Sequence, residues 1–391
     1  MRFSTVGPVL SVGFWMLAML SSLGEGRLAH GQQPGAPRQR IAGPVVSAER
    51  QITFRLRADN ASAVRVMSSD LPEIMTTGIM KKLENGVWET TVGPVPAGAY
   101  RYSFAVDGMT VLDERNTLTS QSNSNTNSLV LVPGKELFDT RDVPHGPVAQ
   151  VLYHSRKLQT TRRMHVYTPP GYEAGNDSYP VLYLLHGATD SDQSWSSVGR
   201  AGIILDNLIA AGKAKPMVVI MPNGHIGPFQ FGGSSFDEQL DGFLEDFQAE
   251  IRPAAEKRYR LLKDRNSRAI AGLSMGGAQS LDIAFANLDD FGYVGVFSSG
   301  IFGVGGGQGN ERGKNWAMAH NAALTSETGK KGLKLLWFAT GKEDFLLQTT
   351  RETVELFKKH GFEVQYQETD GGHTWLVWRD YLAEFMPLLF Q

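Results

Sequence analysis

The run Ala269-Ile270-Ala271-Gly272-Leu273-Ser274-Met275-Gly276-Gly277 reads as a short apolar strand, a Gly-x-Ser-x-Gly turn and a segment able to start a helix. A serine that acts as a nucleophile has to stand exposed on a sharp, strained turn. Gly272 and Gly276 flank it because a Cβ at either place would collide with the neighbouring strand and helix. The amide of Met275, at the helix start, would face a developing oxyanion. In a chain with 43 glycines such spacings also arise by chance. The strand before and the helix after give this one its weight.

A serine needs a base to take its proton and an acid to orient that base. Elbows of this kind belong to α/β-hydrolases, where the chain order is Ser, then Asp or Glu, then His. Only His320, His360 and His373 follow Ser274. His320 sits in an irregular Gly-rich insertion. His360 closes a helix, where the dipole favours it as a cap. His373 lies in Asp370-Gly371-Gly372-His373-Thr374-Trp375, a glycine loop before a last helix, and is the expected base. The acid should leave the strand after the elbow, assigned here to Leu335–Ala339. Its exit loop carries Glu343 and Asp344 side by side. Adjacent residues point differently, so one of them serves: Asp344, with Glu343 a solvated neighbour. A second oxyanion amide is expected from Ala188, in Leu185-His186-Gly187-Ala188-Thr189-Asp190. His186 precedes the serine and reads as a structural loop residue.

The elements that must hold these groups alternate strand and helix after residue 147, which implies a parallel sheet. Strands are expected at 163–167, 179–185 and 217–221. Helices are expected from Phe243 to Tyr259, interrupted near Pro253, and from Thr350 to His360. Residues 45–134 read instead as an immunoglobulin-like β-sandwich. Ile52, Phe54 and Leu56 alternate with polar residues, as do Tyr100, Tyr102, Phe104 and Val106. Asn85-Gly86 and Asp107-Gly108 are hairpin turns. The polar run Ser120–Asn127 reads as a loop inside the sandwich. Residues 135–146 read as a linker and 147–391 as the catalytic domain. Trp88, Tyr100 and Tyr102 fit two roles, stacking on sugar rings or filling the sandwich core.

The N-terminus looks like an export signal: Arg2, an apolar run Val9–Leu20, and small residues at Ala29-His30-Gly31. Cleavage near Gly31 would leave a disordered leader at 32–44 and a secreted or periplasmic protein, with no membrane contact once the signal is gone. The chain has no cysteine, which excludes a thiol enzyme, a disulfide scaffold and a thiolate zinc site. Thirty-eight basic against 40 acidic side chains leave no electrostatic footprint for nucleic acid.

Gly272-Leu273-Ser274-Met275-Gly276-Gly277-Ala278-Gln279-Ser280, with Asn287-Leu288-Asp289 and Phe291, resembles the feruloyl esterases of carbohydrate esterase family 1. Tyr183-Leu184-Leu185-His186-Gly187 with Trp195, Met221-Pro222-Asn223-Gly224, and Gly371-Gly372-His373 with Trp378 match in order. The likeness covers Val148 to Gln391 and extends to the esterase D and antigen 85 group. The N-terminal sandwich resembles early-set modules related to family 48 carbohydrate-binding domains. The resemblance implies an α/β-hydrolase with the triad Ser274, Asp344, His373 and an oxyanion hole of Ala188 and Met275. It implies substrate contacts from Trp195, Asn223 and Trp375, no metal and no cofactor. The implied partner is an esterified plant polysaccharide such as arabinoxylan, bearing feruloyl or acetyl groups. Two departures, Ala188-Thr189-Asp190 and the Gly-rich insertion from Gly303 to Trp316, are expected to shape the acyl pocket. Siderophore ester hydrolysis, mycolyl-type acyl transfer and inert glycan binding remain the competing functions.

Overall fold

The computed structural model describes residues 42–227, 235–304 and 311–391, without the side chains of 235–237 and 311–312. The expected signal and most of the leader, and residues 305–310 of the insertion, lie outside that range.

The N-terminal part forms two facing sheets. One orders Val45–Val46, Ile52–Arg57, Val87–Val92 and Lys81–Lys82. The other orders Val64–Met67, Gly98–Val106, Thr126–Val132 and Thr119–Gln121, with Met109–Val111 pairing Gly98–Val106. Asp107 and Gly108 both take positive φ (47° and 88°) in the turn between paired strands, as the Asp-Gly signal requires. Phe54, Trp88, Tyr100, Tyr102 and Phe104 fill the space between the sheets. The three aromatics that could have served as sugar platforms are therefore core residues.

The strand Gly98–Val106 is buried on both faces through Phe104. Tyr100, Tyr102 and Phe104 point into the sandwich. Ala99 belongs to the core of the following domain, together with Leu129 of the neighbouring strand. Residues 135–146, expected as a linker, are strapped down. Phe138 is buried, and Asn207 Nδ2 donates to the carbonyls of Leu137 and Asp139 at 3.0 Å each. Asp206 accepts from the Gly146 amide at 3.0 Å and meets His145 Nδ1 at 2.8 Å.

The C-terminal part is an eight-stranded sheet in the order Val148–Ser155, Thr160–Tyr167, Val218–Pro222, Val181–Leu185, Arg268–Leu273, Tyr293–Phe297, Leu335–Gly341, Gln365–Thr369. The second strand pairs antiparallel with both of its neighbours, and the remaining strands pair in parallel. Two apolar layers cover its faces, so the central strands are apolar throughout rather than alternating. The strand next to the elbow strand is Tyr293–Phe297, not Leu335–Ala339. This corrects the sequence expectation by one strand: five apolar residues followed directly by Ser-Ser-Gly carry no periodicity of their own. The helix expected to break at Pro253 widens one turn earlier, into a π turn over Phe247–Ile251. Proline lacks the N–H that would satisfy the carbonyl four residues before it, and the wider turn absorbs the mismatch.

Candidate active site

Ser274, Asp344, His373 and Ala188 each stand just past the C-terminal end of a parallel strand, where open α/β sheets place their ligands. Ser274 lies between the strand Arg268–Leu273 and the helix Met275–Ala286 with φ 51° and ψ −122°, a conformation side-chain-bearing residues seldom adopt. Packing imposes it. A Cβ on Gly272 would lie 2.3 Å from the Gly276 carbonyl, and one on Gly276 would lie 2.6 Å from the His186 oxygen. The Ser274 amide donates to the Phe297 carbonyl at 2.9 Å, and its carbonyl accepts from Ser299 Oγ at 2.5 Å.

His373 Nε2 lies 3.0 Å from Ser274 Oγ, and Nδ1 lies 3.0 Å from both oxygens of Asp344. Asp344 is buried and also accepts from the Leu346 amide at 2.8 Å. Burial pushes its carboxyl up. The His373 hydrogen bond and charge, the Leu346 amide and Ser298 outweigh that and hold it below its ordinary value. Glu343 faces outward, yet it is more than a solvated neighbour. Its Oε2 accepts from the Gly371 amide at 2.6 Å, and its own amide donates to the Gly371 carbonyl. It ties the acid loop to the loop that carries His373.

Gly187 lets the Ala188 loop close on the elbow: a Cβ there would meet Leu273 Cδ1 at 2.7 Å. The side chains of Ala188 and Met275 share a small apolar cluster with Leu240, which brings the two amide-bearing residues together. His186 has both ring nitrogens engaged. Nδ1 faces the Gly187 carbonyl at 2.8 Å, and Nε2 accepts from the Gly224 amide at 2.9 Å. Burial pushes its pKa down, as suits a neutral imidazole.

These groups line a cleft of about 480 Å³. Its walls are Leu273, Phe302, Phe345, Leu346, Trp375 and Trp378. Ala188, Thr189 and Asp190, one of the two departures noted in the sequence, line it as well. Of the expected substrate contacts, Trp375 is on the wall. Trp195 is not: it is 1% exposed, its Nε1–H donates to the Leu185 carbonyl at 2.9 Å, and its ring backs Trp375 edge-on at 5.0 Å. Asn223 is not either. Its Oδ1 accepts from the His225 amide at 3.0 Å, closing a local turn. Sequence reasoning passed over Phe345, whose ring packs at 4.4 Å from His373, and Ser298, which accepts from Trp378 Nε1 at 2.9 Å. Ser298 has φ 48°, and a strand-end Ser-Ser-Gly beside an elbow was the available signal. Ser69, Asp70 and Arg101 of the sandwich also line the cleft. Among the described residues no group of three or more His, Asp or Glu is placed to hold a metal ion.

Residues 155–389 match the family described as putative esterase, and residues 42–121 match carbohydrate-binding module 48, the isoamylase N-terminal domain. The chain is 31% identical over 360 residues to an endo-1,4-beta-xylanase/feruloyl esterase of Xylanibacter ruminicola. That alignment takes in 89% of this chain but 46% of the relative, so the chain spans about half its length. A solved ferulic acid esterase superposes with TM-score 0.52 at 27% identity, covering 62% of this chain and 97% of that one. The enterobactin esterase of Shigella flexneri superposes with TM-score 0.61 over 89% of this chain and 95% of its own. At 16% identity that likeness is one of fold. The chain belongs to the putative esterase family, and the region ahead of the esterase match is similar to carbohydrate-binding module 48.

Proposed function

We propose that this protein is a serine esterase of the α/β-hydrolase type that hydrolyses aromatic acyl esters, feruloyl esters foremost, on plant cell-wall polysaccharide. The observation that carries the reading is the Asp344–His373–Ser274 chain opening into a cleft walled by four aromatic rings. His373 Nε2 takes the Ser274 proton as Oγ attacks the ester carbonyl. The amides of Ala188 and Met275 receive the oxyanion. His373 then gives its proton to the leaving sugar oxygen as the C–O bond breaks. Water, deprotonated by His373, attacks the acyl-enzyme; the acid leaves and Ser274 regains its proton. Asp344 accepts from Nδ1–H throughout, holding the tautomer and stabilising the imidazolium. Phe302, Phe345, Trp375 and Trp378 suit a planar acyl group, whereas an acetyl group would leave most of that wall unfilled. The signal-like N-terminus supports export to where such polysaccharide lies.

A siderophore ester is the second reading, favoured by the likeness to enterobactin esterases over both domains. The cleft argues against it. Its Arg101 is shared by two carboxylates, Asp70 and Asp190, so this part of the wall is net negative and disfavours a polyanionic ferric siderophore. Rates on methyl ferulate, acetylated xylan and enterobactin, measured side by side, test the choice. Methyl ferulate is expected to be fastest; a protein fast on enterobactin alone overturns the reading. Ser274→Ala is expected to lose about 10⁶-fold in kcat with its fold intact, and wild-type turnover by that variant on an aryl ester would remove the mechanism.

A further inference from the structure

The loop that carries Ala188 is held from outside its own domain. Arg101, on the sandwich strand Gly98–Val106, donates from Nη1 to Asp190 Oδ1 at 2.7 Å. Its remaining donors are fixed on Asp70: Nε to Oδ2 at 2.9 Å and Nη2 to Oδ1 at 3.1 Å. The Arg101 amide also donates to Asp70 Oδ2, at 3.0 Å. All three side chains are more than nine-tenths buried. Arg101 is thus clamped by its own domain and reaches across the boundary with one nitrogen.

What it reaches is the turn of the oxyanion loop. The Asp190 amide donates to the Gly187 carbonyl at 3.1 Å, closing the four residues that contain Ala188. The sandwich grips the same turn a second time, through the Asn123 amide on the Thr189 carbonyl at 3.0 Å. On its other side the Arg101 guanidinium faces the Trp375 ring at 6.0 Å, two residues past His373. Within its own domain the stretch Gly187–Asp190 is held by the His186 ring on the Gly187 carbonyl at 2.8 Å and by the packing of Ala188 on Met275 and Leu240, and the two sandwich bonds act on the far end of the same turn. An oxyanion donor acts only if its direction is set before the charge develops, and a misplacement near 1 Å costs about 10²-fold in rate.

We propose that Arg101 is a positioning residue: through Asp190 the N-terminal sandwich sets the Ala188 amide, so the oxyanion hole is completed across the domain boundary. This rests on the serine mechanism proposed above. It ascribes to the sandwich a part in the chemical step itself, apart from any contact with sugar.

The test uses the full chain and variants Arg101→Lys, Arg101→Met and Asp190→Asn. Active serines are counted by stoichiometric p-nitrophenolate release from diethyl p-nitrophenyl phosphate, and kcat on p-nitrophenyl acetate is expressed per titrated serine. Arg101→Met is expected to lower that kcat about 10- to 100-fold with KM within about threefold. An aryl trifluoromethyl ketone, whose adduct with Ser274 carries the oxyanion, should weaken by the same factor. Coniferyl alcohol, which keeps the ring but has no carbonyl or carboxylate oxygen to enter the hole, should bind as before. Arg101→Lys keeps the charge without the fork and should fall between wild type and Arg101→Met. If Arg101→Met does not fold, Arg101→Lys and Asp190→Asn carry the test. Unchanged kcat per titrated serine overturns the positioning role and leaves the serine mechanism standing. So does a loss shared equally by ketone and coniferyl alcohol, which would mark Arg101 as cleft wall alone. Turnover retained in Ser274→Ala overturns both.

Discussion

The two halves of the proposed oxyanion hole are built in opposite ways. The elbow half is local: Gly272, Gly276 and Gly277 lie within four residues of Ser274, and backbone packing forces its φ of 51°. The Ala188 half is remote. Its turn is tied to Arg101 and Asn123, which belong to another domain and precede it by tens of residues. One half is over-determined by its neighbours in sequence, and the other adds ties from a second domain to those of its own.

The largest expected break falls on the elbow side. Asp344→Asn should leave the fold in place and lower kcat about 10⁴-fold, because the amide favours the wrong imidazole tautomer; steady-state rates on an aryl ester check it. A smaller loss would mean that the imidazole is oriented by something else, Phe345 being nearest. A pair of glycine substitutions then probes the contrast directly. In Gly276→Ala the new Cβ meets backbone atoms of Leu185 and His186 at 2.6–2.7 Å, which cannot give way. In Gly187→Ala it meets the Leu273 methyl at 2.7 Å, which can turn aside. Thermal unfolding should show a loss of about 3 kcal/mol for the first and about 1 kcal/mol for the second. Equal losses would erase the distinction between the halves.

Acid titration sharpens it further. Asp344 on the elbow side and Asp192 beyond the oxyanion turn are both held below their ordinary value against the opposing effect of burial. His373 does this for Asp344; His165 and Arg163 do it for Asp192. A carboxylate with a depressed folded-state pKa contributes stability above its unfolded value, about 3.9, and loses that contribution as pH falls through the folded value. The gap in melting temperature between wild type and Asp344→Asn should therefore narrow below about pH 4. The smallest effect belongs to Glu343→Gln, beside the acid. It weakens one exposed charge-assisted bond to Gly371 and should cost under about 1 kcal/mol, with activity within a few-fold.

How much of this could be read in the residues follows the same division. Ser274, Asp344 and His373 were legible because chain order and glycine spacing are local signals. The placement of Asp344 survived a missed strand, since the exit loop was recognised by its own composition. Trp195 was misplaced because an aromatic after a site loop looks the same whether it faces the cleft or backs Trp375. Only the Leu185 carbonyl, ten residues earlier, decides it. Asn223 was misplaced for a similar reason: its side chain serves the turn two residues on. Arg101 was out of reach. Its carboxylate partners are 31 and 89 residues away, and on a strand of alternating aromatics it passed for the solvated face.

The strand Gly98–Val106, buried on both faces, has a consequence for how the two domains divide their labour. A binding module on a loose tether works by raising the effective concentration of its partner near a catalytic site, with a benefit that peaks where the tether matches the span and falls as it lengthens. This sandwich has no such freedom: one face of its sheet is part of the neighbour's core, and the segment that would be the tether is pinned along its course. Anything it held would sit at one fixed distance from Ser274. It also supplies a fixed wall, so a molecule entering the cleft beside Ser274 has to pass Ser69 and Asp70.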